Sequence, residues 1–189
     1  MATQVADPDV LAHSVAIVAA NNQRDGEALM RLAERLRFGE VIAYSPLLKP
    51  APFAHRLVFF LVHFDFPPTD KTQLLNHLRH SGSVSLCYAP VVAFLRDASV
   101  DEVRASIEMG FDDVINVPAE GASIATRLAA QIGREHVYIE TRNYLGPDRF
   151  RMDDPARGRA AEPHAQLAIL RTVENGVNIV RREEIGKRG

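Results

Sequence analysis

Residues 90–118, PVVAFLRDASVDEVRASIEMGFDDVINVP, carry the reading that decides the fold. The run 91–95 (VVAFL) is unbroken and partly β-branched, as a strand covered on both faces requires. Ser99 and Glu102 then have capping-box spacing, with hydroxyl and carboxylate each satisfying an amide that the first helical turn leaves open. Behind them Val100, Val103 and Ile107 line one face of a helix, and Gly110 stops it. Residues 114–117 (VINV) form a second buried strand, closed by Pro118. Strand, crossover helix and strand make the repeating unit of a parallel sheet.

Working outward, the same alternation continues. Residues 15–20 (VAIVAA), 41–44 (VIAY) and 57–64 (LVFFLVHF) are further short apolar runs. Leu29, Leu32 and Leu36 make a helical stripe between the first two, ended near Gly39. Leu74, Leu75 and Leu78 make another after the third, with Thr69 or Asp70 as its cap and Gly82 at its end. Ile124, Leu128 and Ile132 give a last stripe, which ends near Gly133, and residues 136–142 read as an extension of that helix. Five strands alternating with helices predict an α/β doubly wound parallel sheet, and the flavodoxin-like strand order 2-1-3-4-5 leads the topologies that right-handed crossovers allow. The segment 45–55 carries Pro46, Pro50 and Pro52, which forbids a regular helix there. The second helix is therefore degraded to a turn or strap, with Leu47, Leu48 and Phe53 packing back.

Composition sets limits. The chain has 189 residues and a net charge of −2, so nothing in its overall charge points to nucleic acid or a membrane surface. Its one cysteine, Cys87, reads as a small buried hydrophobe and fits a cytoplasmic location. The N-terminal residues MATQVADPDV lack the pattern of a signal peptide. No glycine-rich phosphate loop follows the first strand, and no nucleophile elbow, helix-turn-helix or zinc finger is present. The expectation is a non-enzyme without cofactor or metal. His77 and His80, three apart on a helix, read as a solvent-facing pair, and His63 as a hydrogen-bonded core histidine.

The stretch 14–134 resembles bacterial receiver domains, the phospho-accepting modules of two-component signalling. In that family a Thr or Ser closes the fourth strand, a Gly follows fifteen residues later, and a Lys-Pro pair begins seven after that. Leu95, Gly110 and Val117-Pro118 keep the spacing. The resemblance implies that Leu95 and Val117 stand at degenerate switch positions. It places Ala20 and Asn21 where an acidic pair would hold Mg²⁺. It puts Asp65, thirty residues before Leu95, at the phospho-acceptor position, although Pro67 follows two residues later instead of four. An acyl-phosphate centre without metal pair, hydroxyl and lysine lacks what positions and neutralises the transferring group. The implied function is a phosphorylation-independent pseudo-receiver acting through protein–protein contact in a phosphorelay. Its partners would be a histidine kinase, a phosphotransferase, an output protein or a second copy. The surface the family uses most includes Arg104, Glu108 and Arg127 here. Residual phospho-acceptance at Asp65 is an alternative.

This organisation divides the chain into a tail (1–13), a receiver-like domain (14–142) and an extension (143–189). The extension holds nine Lys and Arg against seven Asp and Glu. Arg149, Arg151, Arg157 and Arg159 cluster there as a possible anion-binding patch, which gives a second alternative: a sensor of a nucleotide second messenger such as cyclic di-GMP. Further on, Leu167, Leu170 and Val173 have near-helical spacing, and the following VNIV is strand-like.

Overall fold

The computed structural model describes residues 8–148 and 163–186. The parallel strands are β1 (Ser14–Ala19), β2 (Glu40–Ala43), β3 (Leu57–Val62), β4 (Val91–Arg96) and β5 (Asp113–Val117). They form one sheet in the order β2-β1-β3-β4-β5, as the alternation predicts. β1 and β3 are buried at every position, which is why their sequences are apolar without alternation.

Helices cover both faces. On one side α1 (Gln23–Arg35) and α5 (Gly121–Ala129) bury Leu29, Ala33, Ile124 and Leu128 against Val18, Phe59 and Phe94. On the other, α2 (Pro68–Arg79), the single turn α3 (Val84–Cys87) and α4 (Val100–Met109) pack on Ile17, Phe60 and Ala93. The capping box of Ser99 and Glu102 is formed, and Gly110 ends α4 at φ +112°. α2 begins differently from expectation. Neither Thr69 nor Asp70 caps it; Pro68 occupies the first turn behind Pro67, where its missing N–H costs nothing. Its last residue is Arg79, short of Gly82.

Between β2 and β3 there is only a 3-10 turn, Ala51–Phe53, in place of a helix. Phe53 and Leu48 pack back on the core, but Leu47 is 88% exposed and does not.

The C-terminal part departs from the helical readings. Residues 136–140 do not extend α5; they lie in a strand, β6 (Glu135–Glu140). The 167–173 stripe is not helical either: β8 (His164–Thr172) runs through it and turns into β9 (Gly176–Ile185). With β7 (Leu145–Pro147) these form an antiparallel sheet of order β7-β6-β8-β9. β8 alternates, with Ala165, Leu167, Ile169 and Arg171 buried in one phase. At Ala168/Ile169 the register shifts, so that Val180 in β9 has no partner.

This second sheet seals the amino ends of the parallel strands. Arg171, fully buried, donates through Nε to the Tyr88 carbonyl before β4 (3.0 Å) and through Nη1 to Gln131 (2.8 Å). Its Nη2 reaches Asp112, just before β5, at 2.6 Å. The other oxygen of Asp112 takes Arg79 Nη2 (2.8 Å) and the Val91 amide (2.9 Å). Arg79 also donates to the carbonyls of Cys87 and Ala89, and the Tyr138 hydroxyl donates to Asp112. At the hairpin, Gly176 (φ +66°) lies against Arg56, and a Cβ there would come within 3.2 Å of its carbonyl oxygen. Cys87 is buried, and its thiol donates to the Arg79 carbonyl (3.1 Å).

Burial alone would raise the Asp112 pKa; the Arg171 and Arg79 guanidiniums outweigh it and hold it at about 2. Asp112→Asn removes the carboxylate that two buried guanidiniums share. It should cost about 3–5 kcal/mol in urea unfolding, against about 1 kcal/mol or less for Asp113→Asn in its partly exposed pair with Arg127.

His136, which bonds the Gln131 carbonyl, has its pKa lowered to about 4 by burial and by Arg171, with Asp112 opposing and Arg134 adding slightly. The unfolded chain takes up this proton first. Stability should therefore fall as pH drops from 6.5 toward 4, by up to about 3 kcal/mol. His136→Gln should flatten that slope in urea midpoints measured across the window. The Asp112 contribution is lost lower, as pH falls from about 4 through about 2.

Candidate functional site at the carboxyl ends of the strands

Open α/β sheets gather their functional groups outside the carboxyl ends of the strands. With the second sheet at the opposite end, this edge is left uncovered by it. Ala20 and the exposed Asn21 follow β1. Asn22 caps α1, accepting from the Asp25 amide (3.0 Å) while its Nδ2 donates to the Asp25 carboxylate (2.6 Å). Leu95 is 9% exposed and belongs to the apolar core. It is paired in register with Asn116, while Arg96 is paired with Val117. Neither Leu95 nor Val117 presents a hydroxyl or an amine.

Asp65 is half-exposed. β3 ends at Val62, and the ladder closes with the His63 amide donating to the Ala19 carbonyl (2.9 Å). His63 thus takes the strand terminus, and Asp65 sits two residues out, its amide 3.4 Å from His63 Nδ1. Its carboxylate lies 4.0 Å from the same nitrogen. The first turn of α1 brings Asp25 to this pair: ligand atoms of Asp25, His63 and Asp65 all lie within 4.8 Å of one another.

Two cations border the group. Lys71, 9% exposed, donates to the Phe64 carbonyl (3.3 Å), and the Arg96 guanidinium lies 3.9 Å above the Phe64 ring. Burial lowers the pKa of His63, with Asp25 and Asp65 opposing. Burial also lowers that of Lys71, opposed by Asp65. The Asp25 pKa is lowered, chiefly by its hydrogen bond with Asn22.

The structure therefore joins Asp65 to residues that the sequence reading did not assign to it: Asp25, His63 and Lys71. The available signal was the His-x-Asp at a strand end; Asp25, forty residues away, looks only like an acidic first-turn residue. The Mg²⁺ shell that the receiver resemblance implies calls for carboxylates directly after β1. Ala20 and Asn21 supply none, so these residues do not fit that metal.

The second surface lies along α4, β5 and α5. Arg127 lines a groove with Val103, Ile107 and Val114, closed by Pro147 and Asp148. Arg127 is paired with Asp113, and Arg104 lies 4.0 Å from Asp101. Arg104 and Glu108 are exposed on α4, beside the groove. His77 and His80 are exposed, and His80 Nδ1 bonds the Asn76 carbonyl. Arg149, Arg151, Arg157 and Arg159 lie outside the described residues. Among the described residues no helix is long and apolar enough to cross a membrane.

No family model and no curated protein matches the chain. Solved structures similar to it include the signal receiver domain of a response regulator from Bermanella marisrubri (16% identity, TM-score 0.45, 62% of this chain and 96% of that one). Another is the response regulator RPA3017 in red light signalling of R. palustris (14%, 0.45, 62% and 90%). A third is ShkA Rec1 in complex with c-di-GMP (16%, 0.38, 62% and 91%). The strand order itself defines the architecture: a flavodoxin-like α/β fold with an antiparallel sheet added at its C-terminal end.

Proposed function

We propose that this chain is a cytoplasmic pseudo-receiver, a receiver-fold module that works in phosphorelay signalling by protein–protein contact and not by accepting a phosphoryl group. The observation that supports the reading is that the positions which would neutralise and hold a phosphoryl group around Asp65 carry Leu95, Val117, Ala20 and Asn21. Phosphoryl transfer to a carboxylate needs charge neutralised at the transferring group and its oxygens held in place. The β4 and β5 ends offer Leu95 and Val117, and the residues after β1 offer Ala20 and Asn21. Asp65 has a carboxylate of its own charge, Asp25, for a neighbour. That arrangement disfavours a further anion. Incubation with acetyl phosphate and Mg²⁺ should leave the intact mass unchanged; a stoichiometric acyl-phosphate adduct lost in Asp65→Asn would refute the reading.

Contact with a signalling protein or a second copy is assigned to the face of α4, β5 and α5. Arg104 and Glu108 are exposed on α4, the helix that lends Val103 and Ile107 to the groove. A twofold arrangement is the expected geometry for self-association. Charge reversal by Arg104→Glu should lower the sedimentation coefficient of a self-associating sample at equal concentration. An unchanged profile would exclude this surface from self-association.

A further inference from the structure

The geometry points to a second property at the carboxyl edge: Asp25, His63 and Asp65 form a binding site for a divalent transition cation of the zinc type. This goes beyond the pseudo-receiver reading and does not depend on it, since it requires no phosphoryl chemistry. Three ligand-bearing side chains from two elements converge, with their ligand atoms within 4.8 Å of one another. A cation at the centre of such a triangle comes within bonding reach of all three after small rotations of two half-exposed carboxylates.

The imidazole is the second, independent observation. The His63 side chain is 10% exposed, and Nδ1 faces Asp65. Its recorded protein partner is the Asp65 amide, at a long 3.4 Å. In the tautomer protonated at Nε2, the Nδ1 lone pair faces the Asp65 carboxylate at 4.0 Å and is engaged there only by that long amide contact among the described residues. Two carboxylates held beside each other repel, and a dication between them removes that repulsion. Lys71 and Arg96 stand behind the site, on Phe64, and the Lys71 ammonium also interacts electrostatically with Asp65.

The donor set selects the ion. One imidazole nitrogen with two carboxylate oxygens suits zinc, manganese or cobalt; an all-oxygen octahedron, the preference of Mg²⁺, is absent. Three protein ligands leave at least one position for water or an outside donor. Bound metal would tie the start of α1 to the β3–α2 loop.

The test is equilibrium dialysis of the full chain against Zn²⁺ and, separately, Mg²⁺, with metal content read by mass spectrometry. One equivalent of Zn²⁺ is expected, with Mg²⁺ bound much more weakly. Asp25→Asn and His63→Gln should each weaken Zn²⁺ uptake by roughly 100-fold or more, beyond the loss typical of an outer-shell change. Asp25→Asn alters a partly exposed carboxylate in the first turn of α1, outside the core, so it remains informative if His63→Gln unfolds. His77→Ala with His80→Ala should leave uptake unchanged. The proposal is overturned if no Zn²⁺ equivalent is retained, if uptake survives Asp25→Asn, if it follows His77 and His80, or if Mg²⁺ binds as tightly as Zn²⁺.

Discussion

One buried carboxylate organises this molecule. Asp112 receives Arg79 from α2, Arg171 from β8, the Tyr138 hydroxyl from β6 and the Val91 amide from β4. Two guanidiniums on a single anion leave a positive excess in a dry place. The carbonyls of Cys87, Tyr88 and Ala89 absorb it, and the Tyr138 ring lies 5.2 Å from the Arg79 guanidinium carbon. Such a cluster is costly if incomplete, because removing one member strands the others without solvent. It therefore specifies the docking of the second sheet more sharply than apolar contact alone. Arginine suits the task because its planar fork bonds several acceptors at once, which a lysine ammonium on a flexible stem does less well.

The parallel sheet was legible because its central strands obey a single rule. Burial on both faces demands continuous apolar sequence, and β1, β3 and β4 show it without interruption. The capping box and Gly110 marked α4 at both ends. The C-terminal sheet was not legible for the opposite reason. β8 is buried on one face, and one of its inward positions is Arg171; a charged residue in the apolar phase hides the period of two. The same segment places Leu167, Leu170 and Val173 at intervals that suit a helix, so short-range pattern alone chose wrongly. β6 was lost in the same way, since His136 and Glu140 share a face with Tyr138.

The candidate site was half visible. Asp65 was marked by its place after a buried strand. His63 was read as a residue of the strand interior, yet it forms the end of the ladder. Asp25 carried no signal, because an acidic residue in a first helical turn is ordinary. Only the fold brings it to the β3 terminus. The two ends of the sheet consequently have different characters: the amino end is closed by packed, hydrogen-bonded groups, with the buried Arg79 Nε left without a partner among the described residues, and the carboxyl end carries short polar side chains on turns.

The outer strand β9 bears on how such a molecule stays apart from its copies in a crowded solution. Ten residues long, it ends its sheet with one flank unpaired among the described residues and with Ile179, Val180 and Ile185 partly exposed. An edge of that length is a template for accretion of other chains. The unpartnered Val180 kinks it, and Arg181, Arg182, Glu183 and Glu184 crowd the remainder with charge, several of them already bonded within the chain. Bulge and charge together discourage fibril-like stacking, and this lets a long hairpin close the fold with its outer edge open among the described residues.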